Sequence, residues 1–310
     1  MHPRVRKLMY ATPLPAAFGL AILAGDGEPA ATAGEAVAVG EAVVVEAPRQ
    51  GVVDPDRAVF EERMRWAFAE RLDTLPLGEI VVRLGRTFVG AKYTPGTLDP
   101  EGPERLVVNL REFDCVTYVE SVLAMARLVK ARTADYDAFK AQLIRIRYRG
   151  GVLDGYPSRL HYFSEWIHDN AAKGVVRDVT QELGGVRRAG RVDFMSKHPS
   201  SYRQLADAGN LAAITKIEKA LDQRTRYYIP QDRIARVEDR IRDGDIIAMT
   251  TTIEGLDVAH TGIAIRIDGR VHLMHAPLVG KVVEISELPL AERLKGIATQ
   301  DGIMVARPIL

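Results

Sequence analysis

Residues 111–120 read REFDCVTYVE, and the folding of this stretch decides how the rest of the chain is read. Asp114 is a good helix N-cap, because its carboxylate can accept from the unpaired N–H groups of a first turn. Behind it, Val116, Val119, Val122, Leu123, Ala126 and Val129 recur at helical spacing, which predicts a helix from Cys115 to about Arg132. Cys115 is the only cysteine in 310 residues, and it falls in the first turn of that helix. The partial positive charge and free N–H groups of a helix start favour a thiolate and lower a thiol pKa. The same donors can hold an oxyanion. The place suits a nucleophile; the alternative is a small buried hydrophobe.

On the N-terminal side, Asp54 opens a predicted helix with Phe60, Met64, Trp66, Ala67 and Leu72 near one face, and a second runs from Leu77 to about Val89. GAKYTPGTLDPEG (90–102) is a loop by its Gly and Pro. On the C-terminal side, a helix is predicted over about Tyr136 to Arg147, and RGGVLDGYPSR (149–159) reads as a surface loop. The period then changes from helical to alternating. RDGDIIAMTTT (242–252) is a turn into a strand, LDVAHTGIAIRI and RVHLMHA flank Asp268-Gly269 as a hairpin, and GIMVARPIL (302–310) is a last strand. Helices first and strands afterwards predict an α+β fold, with N-terminal helices packed on a C-terminal antiparallel sheet.

Composition bounds the function. The chain is 47% hydrophobic and 27% charged, as expected of a globular protein with a sizeable core. Its 42 basic and 41 acidic residues leave a net charge of +1, and no basic run stands out, so nucleic acid is not an expected partner. Residues 1–25 carry Arg4, Arg6 and Lys7, then an apolar stretch, then small residues, in the order of a secretory signal. Pro13 and Pro15 make that stretch a poor permanent membrane span. Residues 26–53, rich in Ala, Gly, Glu and Val, read as a low-complexity linker, although VAVGEAVVVEA within them alternates like a strand. Export makes an unpaired Cys115 more telling, because outside the cytoplasm a lone thiol is either reactive or bridged to another molecule.

A cysteine nucleophile needs a base. Pairing Ile267 with Arg270 about the Asp268-Gly269 turn places Gly262 opposite His275, and His260 and His275 on one face as diagonal neighbours. His272 then points to the other face. One histidine can serve as general base and the other can fix its tautomer. No HExxH, CxxC, Walker A, Rossmann glycine pattern or GxSxG is present, and His161 with His168 is the nearest thing to a metal pair.

The motifs DCVTYVE, GDIIAM, AHTGIAI and HLMHA, in this order, resemble the NlpC-type cell-wall cysteine hydrolases, which have a papain-like fold. More closely, LVVNLREFDCVTYVESVLAMARL, RYRGGVLDGYPSRLHYFSEWIHDN, DFMSKHPSSY and YYIP resemble the N-acetylmuramoyl-L-alanine amidase-like family. The likeness spans roughly residues 55–310, so 54–310 is taken as a single catalytic domain. The resemblance implies Cys115 as nucleophile, His260 as base and His275 as orienting residue, with no cofactor and no metal. It implies peptidoglycan or its muropeptide fragments as substrate; the signal-like residues 1–25 imply a periplasmic or extracellular location. The bond between N-acetylmuramic acid and L-Ala is favoured by the family name; a γ-D-glutamyl-diaminopimelate bond suits the same chemistry, and a non-catalytic wall-binding module suits the same fold. The wider superfamily often has Pro-Tyr near the site, where this chain has Lys92-Tyr93. Tyr93, Asp114, Tyr156, Arg159 and Tyr162 are candidate substrate-binding residues, with Arg159 suited to grip a stem-peptide carboxylate.

Overall fold

The computed structural model describes residues 54–278 and 280–310. The expected secretory signal and linker lie outside the described residues. Helix α1 (Pro55–Ala69) starts where Asp54 accepts from the N–H groups of Asp56 and Arg57. Helix α2 (Leu77–Arg86) stops three residues short of the expected Val89, in a run of turns that leads to the short strand β1 (Lys92–Tyr93). β1 pairs in parallel with β2 (Glu112–Phe113), and α3 (Cys115–Lys130) follows at once. Asp114 caps α3 in a full capping box, accepting from Thr117 N at 2.8 Å while Thr117 Oγ1 accepts from Asp114 N at 2.9 Å. α3 is buried on nearly every side, which marks it as the central helix.

Helix α4 (Tyr136–Arg147) keeps its expected bounds, and α5 (Phe163–Ala172) lies after the 149–159 segment. A buried network joins the three helices. Glu120 of α3 accepts from Arg147 Nε at 2.7 Å and from Trp166 Nε1 at 3.1 Å. Both partners of the ion pair are out of water, so removing either one alone costs about 3–5 kcal/mol.

The middle of the chain supplies β3 (Val176–Asp178), β4 (Val186–Arg188), α6 (Phe194–Lys197), α7 (Ala208–Asp222), β5 (Arg226–Pro230) and α8 (Ile234–Val237). Strands β6 (Ile246–Thr251), β7 (Val258–Ile267), β8 (Arg270–His275) and β9 (Glu284–Ile285) come next, then α9 (Leu290–Lys295) and β10 (Gln300–Pro308). The sheet is antiparallel, in the order β4-β5-β10-β6-β7-β8-β9, with β3 also on β10. The β7–β8 hairpin has the expected register, Ile267 opposite Arg270, and positive φ at Asp268 (49°) and Gly269 (81°) gives the tight two-residue turn.

The two faces of the sheet feed separate cores. Ile246, Ala248, Ile263, Ile265 and Met274 pack with the helices α1–α5. Their neighbours along each strand, Ile247, Met249, Ala264 and Leu273, pack with Leu290 and Leu294 of α9. A third cluster around Tyr156, Tyr162, Met195, Tyr202 and Leu256 lies between α6, α7 and the 149–162 segment. No helix among the described residues is long and apolar enough to cross a membrane.

Candidate active site

Cys115 is almost fully buried at the start of α3 and lines a cavity of about 100 Å³. Tyr93, Asp114, Tyr156, Arg159 and Tyr162 line the same cavity, as do His161, Tyr202 and Leu256. The structure therefore gathers the candidate substrate-binding residues around the thiol, but it gives them unequal freedom. The Arg159 guanidinium is already engaged: it donates to Leu98 O and to Asp99 Oδ1, faces Glu104 at 3.7 Å and covers the Tyr156 ring. It does not stand free for a substrate carboxylate. Tyr162 is likewise tied down, donating to Glu218 at 2.6 Å and accepting from Met195 N at 2.9 Å. The 149–159 segment lies at the surface as its composition predicts, with Gly150, Val152, Asp154 and Gly155 exposed, but two of its residues turn inward. Tyr156 and Arg159 are buried, because partners some sixty residues earlier in the chain, Leu98 and Asp99, close over them.

The thiol environment overturns one electrostatic expectation. Backbone N–H groups of Thr261, Cys115 and Val116 do favour a thiolate, but burial is the larger effect and the Asp114 carboxylate adds to it. The thiol pKa is pushed up to about 12, so the resting group is S–H. Burial likewise pushes up the Tyr93 hydroxyl beside it.

His260 and His275 meet on the sheet, with His260 Nε2 2.7 Å from His275 Nδ1. Gly262 makes room for this pair, since a Cβ there would lie 2.9 Å from the His275 Cβ. His275 is opposite Glu284 of β9, and its Nε2 lies 3.6 Å from Glu284 Oε1. A carboxylate can only accept, so the carboxylate favours a proton on His275 Nε2. His275 Nδ1 then accepts from His260 Nε2–H, which leaves His260 Nδ1 as a lone pair. Burial, with the Arg293 cation behind it, lowers the His260 pKa to about 3 and that of His275 further. Both rings are neutral at pH 7. His272 lies on the other face, with Nδ1 2.8 Å from Ser286 O.

Cys115 and His260 meet β7 at adjacent residues, the thiol against the Thr261 backbone N–H and the imidazole one position before it. His260 pairs with Met249 and so belongs to the α9 face, whereas Thr261, whose N–H touches the thiol, shares a face with Ala248 under the helices. No hydrogen bond joins Cys115 to His260 among the described residues, and neither histidine of the pair lines the 100 Å³ cavity. The histidine that does is His161. Its Nε2 is 2.9 Å from Tyr156 O, which requires a proton on Nε2, and burial beside Arg159 keeps it neutral. His168 is exposed on α5, and no cluster of three or more metal-ligating side chains occurs among the described residues. Sequence reasoning missed Thr261, Glu284 and Arg293, each placed by strand pairing or by α9 rather than by a local motif.

Comparison with known proteins gives these features a context. The model of the N-acetylmuramoyl-L-alanine amidase-like family matches residues 83–303. The crystal structure of an N-acetylmuramoyl-L-alanine amidase from Bacteroides uniformis is similar, with 39% identity over 76% of this chain and 99% of that one, at a TM-score of 0.72. A Bacteroides fragilis protein described provisionally as a xylanase has 40% identity over 73% of this chain and 99% of its own, at 0.69. A Legionella pneumophila protein at 18% identity, covering 83% of this chain and 95% of that one, shares the fold at 0.61. No curated protein matches the sequence.

Proposed function

Because the chain belongs to the N-acetylmuramoyl-L-alanine amidase-like family, we propose that it is an exported thiol amidase acting on peptidoglycan, with residues 54–310 as one papain-like, NlpC-type catalytic domain. The observation that carries this reading is the setting of Cys115: the sole cysteine, at a capped helix start, on a cavity wall, against backbone N–H donors.

In the proposed reaction the substrate amide carbonyl enters the cavity and Sγ attacks its carbon. His260 Nδ1 takes the thiol proton as the bond forms. The two groups are held neutral in the free protein, so this transfer is concerted with attack rather than completed beforehand. Reaching the thiol requires His260, one residue from the Thr261 contact, to close in when substrate is seated; such catalytic bonds commonly tighten only in the complex. Backbone N–H groups at the start of α3 receive the oxyanion. Collapse breaks the C–N bond, and His260 returns its proton to the leaving amine. For the muramoyl–L-alanine bond, the acyl group left on sulfur is the muramoyl lactyl carbonyl, and the amine is the stem peptide. Water then attacks the thioester, again with His260 as base, and frees the acid and the thiol. His275 holds the His260 tautomer throughout.

Glycoside hydrolysis needs two available carboxyl groups across the scissile bond. The cavity carboxylates are spoken for: Glu120 by Arg147 and Trp166, Asp99 by Arg159, and Asp114 by the helix cap. Acyl transfer fits better.

The test is digestion of purified peptidoglycan by the wild-type protein and by Cys115→Ala, with products identified by mass spectrometry. Release of stem peptide from muramic acid, lost in Cys115→Ala, is expected. Fragments cut after D-Glu would reassign the bond to the γ-D-glutamyl-diaminopimelate linkage. Equal release by both proteins removes Cys115 as nucleophile, and wall binding without release leaves a binding module.

A further inference from the structure

The cavity at Cys115 is too small for the substrate just proposed. About 100 Å³ is well below the roughly 300–1,000 Å³ of sites for drug-sized ligands. A second cleft, of about 820 Å³, lies beside it, and Leu256 belongs to the walls of both. We propose that this second cleft is a binding subsite for a carboxylate-bearing part of the substrate, with Arg226 and Lys197 as its anion-binding groups. The inference rests on the peptidoglycan reading above and extends it to the part of the substrate remote from the cut bond.

The charge pattern of the cleft supports an anionic occupant. Arg188 and Arg226 stand directly opposite each other on β4 and β5, an arrangement that costs stability when neither is neutralised. Arg188 is satisfied: it meets Asp301 at 2.9 Å, donates to Thr251 O and lies over the Tyr228 ring. Arg226 is not. One terminal N–H group donates to Gly190 O, but its Nε is buried and without a partner, and no carboxylate is within ion-pair distance among the described residues. Lys197, at the end of α6, also lines the cleft with no ion pair among the described residues.

Asp257 and Asp222 act on Arg226 only from beyond ion-pair distance. Asp301 faces Arg188, Asp193 faces Arg191 at 3.4 Å, and Asp257 accepts from the N–H groups of Ser164 and Val258. Glu254 is the remaining acid, and it is exposed. A carboxylate in the cleft would give the Arg226 guanidinium the anionic partner it lacks, through a charge-assisted hydrogen bond from its second, open terminal N–H group. Stem peptides carry such free carboxylates.

The experiment is calorimetric titration of the Cys115→Ala protein with a muramoyl-tripeptide ending in a free carboxylate and with its C-terminal carboxamide. The free acid is expected to bind about tenfold more tightly, as one charge-assisted hydrogen bond warrants. Arg226→Gln should weaken the free acid by about tenfold and leave the carboxamide unchanged, which removes the preference. Lys197→Gln should act in the same direction by about threefold, and its exposed site keeps the fold out of the comparison. Equal binding of acid and carboxamide by the Cys115→Ala protein overturns the subsite while leaving the peptidoglycan reading standing. So does an equal loss of both ligands in the two variants. Failure of the Cys115→Ala protein to bind either ligand overturns the reading and the subsite together.

Discussion

The two halves of the candidate catalytic pair meet the same strand, β7, and are perturbed in opposite directions. At the start of α3, burial and the Asp114 carboxylate raise the Cys115 thiol to about 12. On the α9 face, burial and Arg293 lower His260 to about 3. Each change disfavours the charged form, so the free protein holds a thiol and an imidazole rather than a thiolate and an imidazolium. A helix start favours an anion, yet here desolvation is the larger effect. The difference teaches that burial, acting on a thiol and an imidazole alike, holds both in their uncharged forms.

Changing one side at a time tests that picture. The largest effect is expected from His260→Ala: a fall of about 10²–10⁴-fold in kcat/KM on muropeptides, the usual worth of a general base. Alkylation of Cys115 by iodoacetamide in the free variant should keep its wild-type pH dependence, and a changed profile would mean that the thiol and imidazole already interact at rest. In the wild type that alkylation should rise about tenfold per pH unit from pH 8 to beyond 10, because the thiolate fraction does so below a pKa of about 12. Asp114→Asn keeps a good cap and removes the charge beside the sulfur; it should speed alkylation at pH 8 by at most about tenfold, the factor carried by one unit of pKa. Glu284→Gln should cost about tenfold or less in kcat with KM unchanged, measured by steady-state kinetics on muropeptides.

Stability in acid gives the smallest signal. His260, His275 and His161 are neutral in the folded protein but bind protons in the unfolded chain below about pH 6.5. The unfolded state therefore gains protons first, and folding weakens as the pH drops below 6.5. Each histidine contributes at most about 1.4 kcal/mol per pH unit. Urea unfolding at pH 7 and pH 5 measures the slope, and a flat profile would contradict the neutral-imidazole assignment.

Much of the frame was legible in the sequence. Asp54 and Asp114 announce α1 and α3 by cap chemistry, and Asp268-Gly269 fixes the hairpin register that brings His260 to His275. These signals are local, carried by residues a few positions apart. What escaped is long-range. Arg159 looks free in a polar loop because its partners Asp99 and Glu104 are more than fifty positions away. Glu284 reaches His275 through a two-residue strand that no periodicity reveals. The thiol pKa was misjudged because helix-start chemistry is visible in sequence, whereas the depth of burial is a property of the whole fold.

β10 pairs with β3, β5 and β6, so the last of the described strands in sequence is an interior one in the sheet. During synthesis, then, β5 and β6 have no partner between them until residues 300–308 emerge, and contacts of such sequence separation form slowly. The helices can collapse early, but the sheet that carries the histidines closes last. A nascent chain would thus shape the Cys115 cavity wall on α3 before residues 300–308 lock the sheet that carries His260 and His275.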